Sequence, residues 1–405
     1  MQSNCRSCGH ILTKTFCDLG HSPPSNSYLK TKEDAEKTYP LKALVCDLCF
    51  LVQLEQFQTP DELFSQYAYF SSFSDSWVNH AKRYVDSITE KLHLSAQHLV
   101  IEIASNDGYL LQHVQKKGIK ILGIEPAQNI GEIAIAKGIP TIKEFFGSKL
   151  AKKLSLDAKA DLLIANNVLA HVPDLSDFVQ GIHILLKEDG VATLEFPHLL
   201  QLIKQNQFDT IYHEHFSYFS LLSAKMIFEK HHLDLFAVEE LPTHGGSLRV
   251  YLQQQGGKRL TEPSVDLLLS KEKRFGLHLL NTYSEFSKKT LLLKEKILHF
   301  FHHTQKTQKK IAGYGAPAKG NTLLNYCHLN ETHLPFTVDL NPYKQNLFLP
   351  GSRIPIFPPS KIREYQPDYL LILPWNLKEE IKSQMAFIRD WGGKFVTAIP
   401  DIVVE

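Results

Sequence analysis

At 405 residues the chain is too long for one ordinary domain, and two or three are expected. Apolar residues make up 43% and charged residues 21%, the balance of a soluble globular protein, and a formal charge of +1 supplies no global field for nucleic acid or an anionic membrane. No apolar run approaches a membrane span, and the start MQSNCRSCGH lacks the charged and apolar regions of a signal peptide, so a cytoplasmic location with reduced thiols is the default expectation.

Residues 1–55 hold five of the six cysteines and little periodic pattern. His21 to Ser27 is a Pro/Ser loop, and Leu41 to Leu54 reads as a hairpin around Cys46-Asp-Leu-Cys49. So small a domain needs a staple. Cys5-x-x-Cys8 and Cys46-x-x-Cys49 are two knuckles that each present two sulfurs at the bite zinc requires. Neither has the strand-then-helix setting of a redox pair. The ion is expected to be structural Zn2+, because four protein ligands leave no open position. His10 is a possible substitute ligand; Cys17 and Cys327 have no partner motif.

From His98 strands and helices alternate: strand Leu99–Ala104, helix Tyr109–Lys117, strand Ile119–Ile124, helix Asn129–Lys137, a short strand in Ile139–Phe146, helix Ser148–Lys159, strand Asp161–Asn166, helix Leu175–Lys187 and strand Gly190–Glu195. This interval predicts an α/β fold with a parallel sheet covered on both faces. Leu235–Glu240 and Ser247–Gln253 read as two further strands around His244-Gly-Gly246, and a helical region from about Pro263 to about Lys310 follows in two pieces. Its lysines read as a solvated face. A second α/β unit then begins: a strand at Lys310–Gly313, a Gly-rich turn, a helix at Asn321–Tyr326, and strands Phe336–Leu340, Tyr369–Leu373 and Lys394–Ala398.

Ligands of open parallel sheets bind at the carboxyl ends of the strands. Glu102-Ile-Ala-Ser-Asn106-Asp107-Gly108 occupies that place after the first strand, with Gly108 allowing close backbone approach. Glu125 ends the second strand, where an acid accepts both hydroxyls of a ribose. The spacing fits NAD and S-adenosylmethionine (SAM) alike. The single glycine, without G-x-G-x-x-G, favours SAM, which has no pyrophosphate to cradle. Asn166 and His171 end the fourth strand and face the same crevice.

Tyr212-His-Glu214-His215 follows the fifth strand. One reading is a general base with an oriented partner and a phenol for an enolate oxygen. A metal site and a polar surface loop are the alternatives, and the H-x-H spacing argues against the helical metal pair. Tyr67-Ala-Tyr69-Phe-Ser-Ser72 is an aromatic and hydroxyl cluster that closes over a sugar or fills a core. The turn Gly313-Tyr-Gly315-Ala-Pro-Ala-Lys319-Gly-Asn321 suits a pyrophosphate, with a second dinucleotide site as the alternative. Arg249 is a phosphate candidate or half of an ion pair.

With these motifs in this order, the chain resembles the SAM-dependent C-methyltransferases that methylate C-3 of nucleotide-linked 4-keto-6-deoxy sugars. The resemblance covers nearly the whole chain: both knuckles, the segments at Tyr67, Glu102, Asn166 and Tyr212, His244 to Arg249, and Gly313 to Asn325. It implies a zinc-binding domain at 1–60, a class I SAM-methyltransferase Rossmann-like domain at 61–255, and a second Rossmann-like domain at 256–405 that helps hold the nucleotide diphosphate. It also implies that His215 is the base, that Tyr212 and Glu214 position the sugar and support the enolate, that His171 sits near the C-4 oxygen, and that Tyr67 or Tyr69 lines the sugar pocket. The expected partner is therefore a nucleotide-diphosphate 4-keto sugar, bound by a monomer, with neither nucleic acid nor membrane involved. The competing readings are a zinc-ribbon methyltransferase of RNA, which the near-neutral charge disfavours, and a non-catalytic interaction protein, which the intact Asn106-Asp-Gly108 disfavours.

Overall fold

The structure, a computed structural model, describes residues 3–64 and 70–405. Tyr67 and Tyr69 lie outside the described residues.

The N-terminal segment forms an antiparallel sheet in the order Lys14–Ser22, Tyr39–Val45, Val52–Leu54 and Ser217–Tyr218. The expected hairpin is its middle pair. Lys14–Ser22, which the sequence pattern does not announce, buries Phe16, Cys17 and Leu19. The fourth strand comes from far along the chain, two residues after His215. The zinc sheet is thus completed by the segment that carries the candidate base.

The central sheet has seven strands in the order Leu233–Leu241, Ser247–Gln254, Leu186–Pro197, Ala160–Asn166, Leu99–Ile103, Lys120–Ile124 and Thr141–Ile142. All run parallel except Ser247–Gln254, which is antiparallel to both neighbours. Its inner strands are apolar runs buried on both faces, as a covered parallel sheet requires. The strand expected within Ile139–Phe146 shrinks to Thr141–Ile142 at the sheet edge. Asp75–Lys91, before the first strand, is a helix capped by Ser74, which accepts the amide of Trp77.

The long helical region is two helices, Pro263–Phe275 and Leu280–Lys306. Gly276 ends the first at φ +95, a left-handed cap that favours glycine. The C-terminal sheet runs Ile356–Phe357, Thr337–Val338, Ile311–Tyr314, Tyr369–Ile372, Lys394–Thr397 and Val403–Val404, parallel save for the last strand.

One apolar cluster joins all three sheets. Phe16 and Leu41 come from the first, Leu199 and Ile211 from beside the second, and Ile311 and Leu371 from the third. This shared core fixes the parts around one cavity of about 1290 Å³. Among the described residues, no helix is long and apolar enough to cross a membrane.

Candidate active site

The four knuckle cysteines converge. Their sulfurs all lie within 4.8 Å of one another, with Cys5–Cys49 and Cys8–Cys46 at 3.5 Å. A tetrahedron with zinc–sulfur bonds of about 2.3 Å has edges of roughly 3.8 Å, so these thiols fit the ion. Gln53 adds an N–H to the Cys5 sulfur at 3.2 Å. His10 pairs with Asp47 at 2.9 Å and is not a ligand. All four positions are protein thiols, so the zinc is structural.

The cofactor crevice opens where Leu99–Ile103 ends. Ala104 (φ +55), Asn106 (φ +48) and Gly108 (φ +79) take left-handed conformations, so the backbone doubles back tightly. Glu125 clamps this turn. Its carboxylate accepts the amides of Asn106 at 3.0 Å and Ala127 at 2.9 Å, which leaves each oxygen a further acceptor site at the cavity wall. Burial pushes its pKa up to about 7 against those two hydrogen bonds. Asn166 Oδ1 and both amide atoms of Asn167 are buried at the cavity without a protein partner. Buried polar atoms of this kind are costly unless a ligand meets them. With a carboxylate for ribose hydroxyls beside them, they fit SAM.

Glu102, Asp107 and Gly108 do not line the cavity. Glu102 is buried beneath the turn, and burial, Glu125 and Asp107 all raise its pKa. Asp107 is held by Ser72 Oγ and by Lys137 at 3.0 Å. A Cβ at Gly108 would stand 2.8 Å from Ile139, so the space that its missing side chain frees is filled by protein, not by ligand. These three residues shape the turn, and Ser72 serves it too.

The Tyr212–His215 segment meets the crevice from the zinc side. His215 Nδ1 lies 2.9 Å from the Thr210 carbonyl, which can only accept, so Nδ1 carries the proton. Nε2 is then the lone pair, and it accepts the Tyr212 hydroxyl at 2.7 Å. Burial above all, with His171, Lys319 and His244 as neighbours that further disfavour its protonation, holds the His215 pKa well below the usual imidazole range, so the ring is neutral at pH 7. His171 is arranged alike: its Nδ1 donates to the Glu214 carbonyl at 2.8 Å, and burial lowers its pKa to about 4. The two rings meet edge to face at 4.8 Å between centroids. His213 points the other way, at 3.2 Å from the Pro40 carbonyl. The H-x-H spacing therefore places one histidine at the site and one in the packing, which rules out the metal reading.

Glu214 is buried, and Asn26 Nδ2 donates to both of its oxygens at 2.7 and 2.8 Å. Asn26 itself lines the cavity. Neighbouring groups tie its loop to the C-terminal turn: Asn321 Nδ2 donates to the Ser25 carbonyl at 2.6 Å, and the Tyr28 hydroxyl to the Ala316 carbonyl at 2.6 Å.

Three sequence families match the chain in order: a zinc binding domain over residues 5–64, a methyltransferase domain over 77–238, and a C-methyltransferase C-terminal domain over 242–400. C-methyltransferase NovU of Streptomyces niveus is 35% identical over 400 residues, spanning 98% of this chain and 95% of NovU. The chain belongs to this C-methyltransferase family. Solved structures include the Pyrococcus horikoshii protein PH0226 (TM-score 0.38, 14% identity, 49% of this chain and 100% of that one). Another is magnesium protoporphyrin IX methyltransferase from Synechocystis, with bound SAM (TM-score 0.34, 17% identity, 45% of this chain and 82% of that one).

In this SAM-dependent C-methyltransferase the cavity gathers Asn106, Glu125, Asn166, His171, Tyr212, His215, Gly315 and Lys319 among the expected residues. Gly315 (φ +90) leaves no room for a Cβ, which would stand 2.5 Å from Pro374. Lys319 lies over the Trp375 ring at 4.6 Å and donates to Asn376 at 2.7 Å. Gly313 and Asn321 do not reach the cavity: the first is packed against Thr337 in its strand, the second is spent on Ser25. Arg249 is the clearest correction. It is buried, bonded to Glu195 at 2.7 Å and Glu239 at 3.3 Å and stacked over Tyr84 at 4.3 Å, and it does not face the cavity. Asn26, Asp339 and Lys344 also stand at the cavity wall, with no sequence motif to announce them, and Asn167 joins its neighbour Asn166 there.

Proposed function

We propose that this C-methyltransferase methylates C-3 of a nucleotide-diphosphate-linked 4-keto-6-deoxy sugar through an enolate. The observation that carries the reading is the neutral His215, its Nε2 lone pair held on Tyr212, in the same cavity as the Glu125 crevice and the Gly315–Lys319 turn.

The ketone at C-4 acidifies the hydrogen at C-3. His215 Nε2 takes that proton, and the C–H electron pair moves into the C-3/C-4 bond and onto the C-4 oxygen. Tyr212, whose hydroxyl already sits on Nε2, transfers its hydrogen bond to the growing enolate oxygen as Nε2 is protonated. His171 stands beside it for the same oxygen. Glu214, held by Asn26, orients the sugar hydroxyls. SAM, held by Glu125, Asn166 and Asn167, would supply an electrophilic sulfonium methyl to the C-3 carbanion equivalent and would leave as the neutral thioether. The Thr210 carbonyl accepts from Nδ1 throughout and supports the imidazolium until its proton leaves. In this reading residues 1–60 bind zinc, 61–255 hold the cofactor and 256–405 hold the nucleotide, with Asn26 reaching across.

Incubating the enzyme with SAM and 4-keto sugar nucleotides should add one methyl at carbon, seen by mass spectrometry and by NMR of the new quaternary centre. His215→Asn should keep SAM binding and lose C-3 deuterium exchange and methylation together, by a hundredfold to ten-thousandfold or so. Methylation only at oxygen or nitrogen would overturn the reading.

A further inference from the structure

The turn between the strands Leu233–Leu241 and Ser247–Gln254 is built to hold one side chain. His244 sits there at φ +53, in the left-handed region that few residues with a side chain enter. Both glycines after it are required. A Cβ on Gly245 would stand 2.4 Å from the Trp375 ring, and one on Gly246 would stand 2.6 Å from Gln201. Thr243 Oγ1 donates to the buried Glu195 at 2.8 Å, and Glu195 is held in turn by Arg249 at 2.7 Å. Arg249, turned away from the cavity, thus braces this turn. Gln207 Nε2 donates to the Gly245 carbonyl at 2.8 Å, and the His198 amide donates to the Gly246 carbonyl at 3.0 Å. Trp77 lies against the imidazole at 5.1 Å between centroids.

The side chain so fixed has no protein partner for its polar atoms. His244 lines the cavity, and neither ring nitrogen makes a hydrogen bond among the described residues. Burial, then Lys319, lower its pKa to about 4 against the charge of Glu195. The ring is therefore neutral at pH 7, with one N–H donor and one lone pair. A hydroxyl or amino group can meet either nitrogen, whichever tautomer is present. The sheet order puts this turn five strand spacings, about 24 Å, from the strand that ends at Glu125, so the ribose acceptor is out of its reach. His215 and Lys319 are nearer: Lys319 acts on the charge of His244, and His244 on that of His215. His244 therefore borders the space over the base.

We propose that His244 is a substrate-binding residue that hydrogen-bonds a hydroxyl or amino substituent of the sugar ring, and that the Thr243–Gly246 turn, braced by Glu195 and Arg249, holds it there. This rests on the 4-keto sugar reading above. It gives the site a contact that selects among 4-keto sugars by their ring substituents.

The test crosses enzyme variants with substrates. His244→Phe keeps a ring against Trp77 and removes both nitrogens, so kcat/KM for the sugar nucleotide that the wild type methylates should fall about fivefold to a hundredfold. His244→Asn tolerates the left-handed backbone and restores a donor and an acceptor, and it should recover part of that loss. Removing the ring substituent at C-2 or C-3 of the sugar should cost the wild type a similar factor at one of the two positions and cost His244→Phe nothing there. Affinity for S-adenosylhomocysteine, measured by calorimetry, should not move in either variant. If the Phe side chain prevents folding, His244→Gly, which meets no strain at this φ, takes its place in the same comparison. Unchanged kcat/KM, or losses that add at both sugar positions, would overturn the inference. A matching loss of S-adenosylhomocysteine affinity would assign the contact to the cofactor and overturn it too. Those results leave the sugar reading standing, whereas a wild type that methylates no 4-keto sugar overturns both.

Discussion

Asn26 is the residue through which the N-terminal loop reaches the chemistry, and its replacement has a calculable cost. Its amide nitrogen donates to both Glu214 oxygens, at 2.7 and 2.8 Å, and Glu214 is only 2% exposed. A hydrogen bond to a buried charge contributes about 1.5–3 kcal/mol. Asn26→Ala should therefore lower kcat/KM by about tenfold to a hundredfold. Asn26→Asp should do worse, because two carboxylates would then share the site and one would hold a proton near neutrality. Its residual activity should rise as pH falls from 8 to 6, a trend that the wild type should lack. The assay is methyl transfer to a 4-keto sugar nucleotide across that range, with zinc content and SAM affinity as controls that should not move. An Asp variant no worse than the Ala variant, with an unchanged pH profile, would refute the idea that this contact holds the Glu214 charge in place.

Three further outcomes are expected. Cys5→Ser or Cys49→Ser should abolish the roughly one zinc per chain found by metal analysis, and reduce folding yield before it alters chemistry in what still folds; full stability without metal would contradict the site. Glu125→Ala should weaken SAM binding by about tenfold to a hundredfold in calorimetry, since it removes the ribose acceptor and loosens the Asn106 turn, whereas Glu125→Gln, which keeps one acceptor oxygen, should lose less. His171 and His244, held neutral by burial with pKa values lowered to about 4, bind fewer protons folded than unfolded. Their stabilisation is present above the unfolded pKa near 6.5 and is lost as pH falls toward 4, by at most about 1.4 kcal/mol per pH unit each and less because both rings border the open cavity. Melting temperature should therefore drop below pH 6.5, and His171→Asn should flatten that drop.

Where side chains repeat with a fixed period, the sequence was readable. The apolar runs around Ile101, Leu122 and Leu163 announce a covered parallel sheet, and the region from Pro263 reads as two helical pieces, which the structure divides at Gly276. The knuckle spacing alone located the zinc. What stayed hidden depends on contacts across long stretches of chain. Ser217–Tyr218 is too short for a period to show. Asn26 meets Glu214 188 residues away, and nothing near Pro23 and Pro24 signals it. Arg249 looked like a phosphate ligand because a strand residue can face either side. The register places it directly across from Glu239 on one neighbour and Glu195 on the other, so its charge is already neutralised. Gly108 invites the reading that the backbone approaches the cofactor closely there, but Ile139, not the cofactor, takes the space.

The strand Ser217–Tyr218 has a consequence for anyone cutting or recombining this enzyme. It pairs with Val52 and Gln53, and Arg6 reaches the Phe216 carbonyl at 3.3 Å, so the ribbon knuckles grip the chain immediately downstream of the base. Deleting residues 1–60 would remove that anchorage as well as Asn26, and a chimera that swaps this segment between relatives would inherit a mismatched edge unless residues 216–218 travel with it. For the same reason a chelator should act as an inhibitor at doses that leave the other two sheets folded, and readdition of zinc should restore turnover.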